Sequence, residues 1–319
     1  MKKEKLSIDD ISLKDERFRI SYYFPLDDLI LSIKKIGLIN PPLVAFRNKN
    51  IILVSGWKRI LACAELAITH IPVFVIKEEN ELEIFLKAFY ENLATREFSL
   101  LEKAEILNRL KRFGEDEQNI VRHYMSLLNI PRTLPYLDSL MAISQLEPEA
   151  KRFIQENSMP FLPANLLAEF SPEERRLLFP LLSPLGQNKK KEILENLQDI
   201  SRRTGTQAEK ILSAQEILEI QNSEKLSSLQ KAEKVRFLLK RKRYPAFSSW
   251  EESFESLVKK ICWPKEITIR PTPYFEDEEF SVTFTFENKE KFSANLLKLQ
   301  ELALREEFSK IFSLDYSFK

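Results

Sequence analysis

Glycine is so scarce in this chain that it limits the folds open to it: five glycines occur in 319 residues. Tight turns and left-handed backbone favour glycine, so a chain with so few of them is expected to form long helices joined by few tight turns. Two of the five, Gly37 and Gly56, lie where a helix ends and where a strand changes to a helix. The predicted fold class is α+β and predominantly helical.

Composition narrows the function classes. The net charge is +1, and basic and acidic residues are nearly balanced along the whole chain, so no segment has the strongly basic footprint of a non-specific DNA binder. No apolar run approaches the roughly 20 residues that span a bilayer, and no apolar segment follows the basic N-terminus, so we expect neither a membrane span nor a secretory signal. Cys63 and Cys262 lie far apart in apolar settings, as buried thiols of a reducing cytoplasm would. Two histidines without a Cys/His cluster argue against zinc.

Residues 1–98 alternate short apolar runs with amphipathic stretches, which predicts a small α/β domain. "PLDDLILSIKKIG" places its leucines and isoleucines on one helix face and ends at Gly37. Strands are predicted for "KLSIDDI", "PPLVAF", "NIILVS" and "IPVFVI". Further helices are predicted for residues 57–67 and for "NELEIFLKAFYENLA".

The stretch "VSGWKRILACAEL" contains the first candidate site. A buried strand stops at Ser55 and Gly56, and the helix that follows carries Lys58 and Arg59 in its first turn. Cations are poorly placed at the positive end of a helix dipole. Free backbone N–H groups, a glycine and two cations together form an anion site, and phosphate is the common anion of that shape. The alternative is that both cations simply point into solvent.

Residues 99–240 are predicted to be almost wholly helical. Ser99 with Glu102 forms a capping box, and Ser171 followed by Pro172 is a second helix start. Between them, "IVRHYMSLLNIPRTLPYLDSLMAI" (120–143) predicts a helix, a short turn and a helix. DNA-binding helix-turn-helix motifs share this spacing with ordinary helical hairpins.

Residues 241–319 are predicted to form a small αββα domain after the charged boundary "LKRKRYP". "FSVTFTF" alternates apolar and polar residues, which indicates a half-buried strand, and the acidic run 276–279 is typical of a solvated turn. Two strands and two helices do not easily close their own sheet, so we expect this segment to pair with a second copy in a homodimer.

Three motifs in order make the chain similar to the ParB/RepB-like chromosome-partitioning protein family. "LILSIKKIGLINPPLV" resembles the family's helix-Gly-x-x-Gln/Asn-Pro segment, "LVSGWKRILACAEL" its Gly-Glu-Arg-Arg box, and "ENLATREFSLLEKA" its Glu-Asn-Leu-Gln-Arg box. The resemblance extends over nearly the full length. It implies a ParB/sulfiredoxin-type nucleotide-binding domain at 1–98, a helix-turn-helix domain at 99–240 and a dimerisation domain at 241–319.

The resemblance also implies ligands. In this family the N-terminal domain binds CTP with Mg²⁺, and nucleotide binding closes two protomers into a clamp on DNA. Glu91 and Asn92 would lie near the metal, because carboxylate and amide oxygens suit Mg²⁺, and Glu91 is the candidate catalytic residue. The nucleotide-binding positions carried over by motif are Gly37, Asn40, Ser55, Gly56, Lys58, Arg59, Glu91 and Asn92.

The motifs also depart from the family pattern. Trp57 stands where the family has a glutamate, and an indole neither holds a metal nor orients a water. Lys58 replaces an arginine and loses its bidentate fork. Thr95 occupies the arginine position of the third box, with Arg96 one residue later. We therefore expect triphosphate binding to survive and CTP hydrolysis to be slow or absent.

Two other activities of related folds are disfavoured. Sulfiredoxin chemistry needs a cysteine in the box that here contains Gly56 and Trp57, while Cys63 lies further along the apolar helix face. A nuclease would need clustered carboxylates or histidines for a two-metal site, and the sequence offers no such cluster.

DNA contacts are the weakest part of the resemblance. A helix that reads the major groove usually projects Arg, Lys, Asn or Gln. The second helix of the motif offers Arg132, Thr133 and Tyr136, and Arg202 with Arg203 forms a basic patch further along the chain. The alternatives are a packed hairpin helix and an ordinary solvated face.

The sequence thus predicts a cytoplasmic, homodimeric partition protein, nucleoid-associated if it binds DNA, that acts as a CTP-gated clamp in chromosome or plasmid segregation, with a partition ATPase as a further partner. The alternative is a ParB-derived nucleotide-binding adaptor that has lost site-specific DNA binding.

Overall fold

The structure is a computed structural model that describes residues 2–22, 25–47, 50–261, 264, 266–271 and 279–312. Cys262 and most of the predicted acidic turn lie outside these residues. The predicted α+β, predominantly helical class is confirmed. The chain divides into two compact units, residues 1–179 and 180–319. The boundaries of the three predicted domains remain predictions.

The first unit begins with alternating strands and helices. Its elements up to residue 112 are β1 (Lys2–Ser7), β2 (Ile11–Ser12), α1 (Asp27–Ile36), β3 (Leu43–Arg47), β4 (Asn50–Ser55), α2 (Trp57–Glu65), β5 (His70–Ile76), α3 (Glu81–Leu93) and α4 (Leu100–Arg112). The strands form one mixed sheet in the order β1-β5-β3-β4-β2. β3 is parallel to β5 and antiparallel to β4, which places the carboxyl end of β4 beside the start of β3.

The N-terminal strand differs from the single strand predicted for "KLSIDDI". The Ser7 side chain accepts a hydrogen bond from the backbone of Asp9 and caps a short 3₁₀ turn over Ile8–Asp10. This turn divides the stretch into β1, which pairs with β5, and β2, which pairs with β4. The chain therefore crosses from one edge of the sheet to the other within a few residues.

The core of this domain lies between the sheet and α2. Val44, Leu53, Ile60 and Val73 are completely buried there, and Cys63 packs among them as predicted. β4 pairs with β3 along one edge and with β2 along the other, and its residues from Ile52 to Ser55 are all buried.

The turn from β4 to α2 depends on Gly56. Its φ of 105° lies in the region that L side chains rarely adopt. A Cβ placed on Gly56 would lie 2.9 Å from Pro42 Cβ and 3.1 Å from Pro42 Cα. The turn therefore requires glycine both for its backbone conformation and for its close approach to the start of β3.

Residues 15–22, here called the wall segment, are fastened to α4 by Arg109. The buried Arg109 side chain donates from Nε to the carbonyl of Arg19 at 2.8 Å and from Nη2 to the Tyr22 hydroxyl at 2.7 Å. It also donates to the carbonyl of Arg17. One side chain thus satisfies backbone groups that a segment without regular structure would otherwise leave unpaired.

The rest of the first unit is helical. The capping box at Ser99 and Glu102 is confirmed, and Ser171 pairs reciprocally with Glu174. The helix, turn, helix order predicted over 120–143 is observed, with a π-helical turn at Ile120–Tyr124. The helical elements are α5 (Glu117–Asn119), α6 (Met125–Leu127), α7 (Leu134–Ser144), α8 (Pro148–Glu156), α9 (Phe161–Ala168) and α10 (Pro172–Leu182), the last of which contains the division between the units.

The second unit contains helices and a two-stranded sheet. The antiparallel strands β6 and β7 are the pair predicted for the C-terminal segment. The elements are α11 (Gln187–Thr204), α12 (Ala208–Leu212), α13 (Gln215–Asn222), α14 (Ser228–Arg243), α15 (Pro245–Lys260), β6 (Ile267–Pro271), β7 (Phe280–Phe284), α16 (Lys289–Ala303) and α17 (Glu306–Ser309). Among the described helices of both units, none is long and apolar enough to cross a bilayer.

Replacing Gly56 with alanine is expected to lower the free energy of unfolding by about 2–3 kcal/mol, because the substitution adds a contact with Pro42 to an unfavourable φ. Gly114→Ala is the matched control: Gly114 has a φ of 88° but open space around it, so its substitution should cost only about 1 kcal/mol. Chemical denaturation of both variants measures the difference. Equal losses would show that the Pro42 contact contributes nothing.

Candidate functional site

A cavity of about 250 Å³ opens at the turn between β4 and α2. Its floor is the turn itself, one wall is the wall segment, and another is the end of α3. We call it the Gly56 cavity. Its lining residues are Phe18, Ile20, Ser21, Leu29, Val54, Ser55, Gly56, Trp57, Lys58, Arg59, Ala88, Asn92 and Arg96.

The charge of this lining is one-sided. Three cations, Lys58, Arg59 and Arg96, contribute to it, whereas no described Asp or Glu does. α2 begins here without a side-chain cap and without an acidic residue in its first turn. The backbone N–H groups at this helix start add to the positive potential. The cavity is therefore suited to an anion.

The surroundings of Lys58 shift the pKa of its side chain. Partial burial lowers the pKa of its ammonium group, and the nearby charge of Arg96 lowers it further, against a smaller opposing effect of Glu102. A cation held among other cations is stabilised when an anion binds beside it. Lys58 also lines a second cavity of about 220 Å³, which shares Ile20 and Arg96 with the first.

Hydrogen bonds fix the Arg59 side chain beside the turn between β4 and α2. Its Nη1 donates to the carbonyl oxygens of Asn40 at 3.0 Å and Pro41 at 3.1 Å. Its Nη2 lies 3.1 Å from a carboxylate oxygen of Glu91. The guanidinium therefore connects two of the predicted nucleotide-binding positions, although neither Asn40 nor Glu91 lines the cavity.

Arg96 is the charged residue of the cavity lining that the sequence prediction left out of the site. Its Nε donates to the amide oxygen of Asn92 at 3.1 Å, and its Nη1 donates to both carboxylate oxygens of Glu102, at 2.9 and 2.8 Å. Its Nη2 donates to the Ser21 hydroxyl at 3.0 Å. Its position one residue beyond Thr95, which stands at the arginine of the third motif, was the available signal.

Glu102 completes this network at the start of α4. Burial would raise the pKa of its carboxyl group, but hydrogen bonds from Arg96, from the Ser21 hydroxyl and from the Ser99 backbone outweigh burial and lower it. Glu102 is therefore ionised at neutral pH. It balances the charge of Arg96 from outside the Gly56 cavity and ties the wall segment to α4.

Trp57 forms part of the cavity wall at the position where the family has a glutamate. Its side chain is 7% exposed, and the Arg19 guanidinium lies over the indole, 4.7 Å from the ring centroid. The same Arg19 guanidinium lies 4.5 Å from the centroid of the Tyr22 ring. The indole Nε1 is buried and has no hydrogen-bond partner within the described part of the chain.

The residues expected to hold Mg²⁺ do not fit a metal. Glu91 and Asn92 are neighbours on α3, so their side chains leave the helix about 100° apart. The Glu91 carboxylate accepts from Arg59, and the Asn92 amide oxygen accepts from Arg96. Within the described residues there is no group of three or more His, Cys, Asp or Glu side chains that could hold a metal ion.

The structure brings together five of the eight predicted nucleotide-binding residues: Ser55, Gly56, Lys58, Arg59 and Asn92 line the cavity. Asn40 and Glu91 stand behind Arg59. Gly37 ends α1, with a φ of 75° and open space around it. Cys63 is completely buried in the core, and burial raises the pKa of its thiol, which makes it a poor nucleophile.

The predicted DNA-binding residues fall in different units of the chain. Arg132 and Thr133 are exposed at the start of α7, while Tyr136 stacks on Phe161 with ring centroids 4.0 Å apart. In the second unit, Arg203 donates to the carbonyls of Lys242 and Arg243, at the C-terminal end of α14. Arg202 is the remaining member of this predicted set, next to Arg203 on α11.

Comparison with known proteins finds similar partitioning proteins. No protein-family model matches the chain. A probable plasmid-partitioning protein ParB from Xylella fastidiosa is 27% identical over 133 residues, which are 41% of this chain and 31% of that protein. The chromosome-partitioning protein Spo0J from Thermus thermophilus is 25% identical over 150 residues, which are 47% of this chain and 53% of that protein. The match therefore spans between 31% and 53% of the length of these relatives.

Among solved structures, the C-terminally truncated chromosome-partitioning protein ParB from Caulobacter crescentus, complexed with CTP-gamma-S, is 18% identical, with a TM-score of 0.28. The match covers 56% of this chain and 97% of that structure. The two sequence relatives confirm the predicted resemblance: over the stretch that it shares with them, which is just under half of its length, the chain is ParB-like.

Proposed function

We propose that this chain is a ParB-like partition protein that binds a nucleoside triphosphate, CTP by resemblance, in the Gly56 cavity. One observation carries the proposal: three cations and no described carboxylate line a cavity at a strand-to-helix turn. Phosphate groups bind at such helix starts because unpaired backbone N–H groups and the helix dipole both favour negative charge.

The size of the site and its apolar lining residues favour a nucleotide over a free phosphate. The Gly56 cavity and its neighbour share Ile20, Lys58 and Arg96 and have volumes of about 250 and 220 Å³. Together they approach the size of a typical small-molecule site. The apolar residues Phe18, Ile20 and Leu29 contribute surface that a base or a sugar can cover.

Hydrolysis of the bound nucleotide is proposed to be slow or absent. Phosphoryl transfer requires an oriented water and stabilisation of the developing charge. Trp57 brings no carboxylate to the cavity, and Glu91, the candidate catalytic residue, pairs with Arg59.

Replacing Lys58 with glutamine is expected to weaken CTP binding by about ten- to a hundredfold, because it removes one charge-assisted contact with the phosphates, worth about 1.5–3 kcal/mol. Arg59→Ala should weaken binding at least as much. Isothermal titration calorimetry with CTP, ATP, GTP and UTP measures the affinities, and melting curves confirm that each variant is folded.

The matched control for these variants is Lys34→Ala, which removes one exposed positive charge from α1 in the same domain. It should leave the affinity unchanged. Equal binding by the wild type and both cavity variants, or no binding of any nucleotide at millimolar concentration, would refute the phosphate site.

DNA binding is proposed through α7, with the protein acting as a CTP-gated clamp and a partition ATPase as a further partner. Arg132 and Thr133 are exposed at the start of α7, where helix-turn-helix proteins contact base edges. A specific observation favours the adaptor as a second candidate: the other exposed positions on α7 include Leu134 and Asp138, which offer no cationic contact.

Selection from random DNA duplexes, with and without CTP, separates these two candidates. A dimeric partition protein should enrich one palindromic sequence, because two copies of α7 read two half-sites. Arg132→Ala should abolish that enrichment, whereas Arg152→Ala, on α8, should not. Selection without any enriched sequence would identify the adaptor.

Self-association is proposed for the C-terminal αββα segment. This segment leaves apolar side chains uncovered in the single chain: Phe286, just after β7, is 56% exposed, and Leu297, on α16, is 60% exposed. Phe284 and Phe292 form ring contacts at this face, so the uncovered groups adjoin an ordered aromatic cluster. An apolar surface of this kind is typical of a protein–protein interface.

The double substitution Phe286→Ser and Leu297→Ser is expected to convert a dimer to a monomer, because it removes apolar surface from the proposed interface. Light scattering at tens of micromolar measures the mass. Leu218→Ser, an exposed apolar position on α13 of the same unit, is the control and should remain dimeric. A dimeric double variant, or a monomeric wild type, contradicts the proposed interface.

A further inference from the structure

We infer that the Gly56 cavity binds its nucleotide as the metal-free polyanion, with Lys58, Arg59 and Arg96 taking the place of Mg²⁺. This inference rests on the proposed nucleotide binding and adds how the charge of the phosphates is neutralised. It departs from the resemblance, which implied CTP with Mg²⁺. The disagreement follows from the donor atoms that this chain supplies.

The charge of the cavity favours a ligand without a metal. Three cations reach a lining that contains no described carboxylate, and the start of α2 adds the positive end of its dipole. A polyphosphate compensates these charges directly. A divalent cation bound to the same phosphates would lower the charge of the ligand and would itself be repelled by the three side chains.

The two side chains expected to hold Mg²⁺ both accept hydrogen bonds from arginines. The amide oxygen of Asn92 accepts from Arg96, and the Glu91 carboxylate accepts from Arg59 behind the cavity. The adjoining cavity contains Glu97, Glu102 and Glu105, of which Glu102 is bound by Arg96 and Glu105 is bound by Lys151 at 2.7 Å. A metal held by Glu91 and Asn92 would therefore have to compete with an arginine for each ligand.

Trp57 leaves the cavity without the carboxylate that the resembled family has at this position. It occupies the position of the family's glutamate, and it is fixed there by burial and by the Arg19 guanidinium packed over its ring. Its polar atom is an N–H donor, which cannot coordinate a cation. The substitution and the cationic lining therefore act in the same direction: they make the site independent of a divalent metal.

Calorimetric titration of the full chain with CTP in EDTA and in MgCl₂, at equal ionic strength, tests the inference. We expect the dissociation constant in EDTA to be equal to that in Mg²⁺ or several-fold lower. Affinity that falls tenfold or more in EDTA would overturn the inference while leaving the proposed nucleotide site intact. Absence of binding in both buffers would overturn the proposed function and the inference together.

Two variants locate the cause. Lys58→Gln should weaken CTP binding more in EDTA than in Mg²⁺, because the metal-free ligand depends more on the cations of the protein. Trp57→Glu should create a preference for Mg²⁺ of about tenfold, and the neutral Trp57→Gln should not. Equal effects of Lys58→Gln in the two buffers, or a folded Trp57→Glu chain without metal preference, would contradict the inference. If Trp57→Glu does not fold, the Lys58→Gln comparison alone decides it.

Discussion

The close contact between Gly56 and Pro42 is the constraint on which the candidate site depends. It brings the end of β4 against the start of β3 and turns the chain into α2 without an intervening loop. Because the turn is tight, Lys58 and Arg59 enter the first helical turn directly beside the free backbone N–H groups. Two cations that would be unfavourable at an ordinary helix start are thereby placed around a concave anion site.

The two arginines of the site each form an ion pair with a carboxylate that lies outside the cavity. Arg59 pairs with Glu91, and Arg96 pairs with Glu102, but both carboxylates stand outside the Gly56 cavity. Burying unpaired guanidinium groups would be costly, and pairing each with a carboxylate on its far side reduces that cost. Both guanidinium groups nevertheless form part of the cavity lining. The same ion pairs also connect the cavity lining to α3 and α4. They therefore contribute both to the charge of the site and to its packing.

The two compact units differ in how far their own helices cover their sheets. In the first, the mixed sheet is covered by α2, and its central strands contribute completely buried side chains such as Val44, Leu53 and Val73. In the second, the two-stranded sheet has side chains such as Val282, 42% exposed on β7, that its own helices do not cover. The difference follows from size, since a two-stranded sheet offers too little surface to bury both of its faces within one chain.

Local pattern determined most of the fold from the sequence alone. The helix start at Ser99, the strand at 71–76, the change from strand to helix at Gly56 and the helix–turn–helix order at 120–143 all follow from contacts between residues close in sequence. The cationic start of α2 was predictable for the same reason. Where the turn at Ser7 broke this pattern, one predicted strand became two with different partners.

Only the tertiary structure decided which groups share the cavity. Arg96 belongs to it because its side chain reaches Ser21, 75 residues earlier in the chain. Glu91 lies behind the cavity because it pairs with Arg59, 32 residues earlier. No periodicity encodes such pairings, because they depend on how helices and segments distant in sequence pack together. The sequence alone therefore determined that cations stand at the start of α2, and the packing of α3, α4 and the wall segment decided what those cations face.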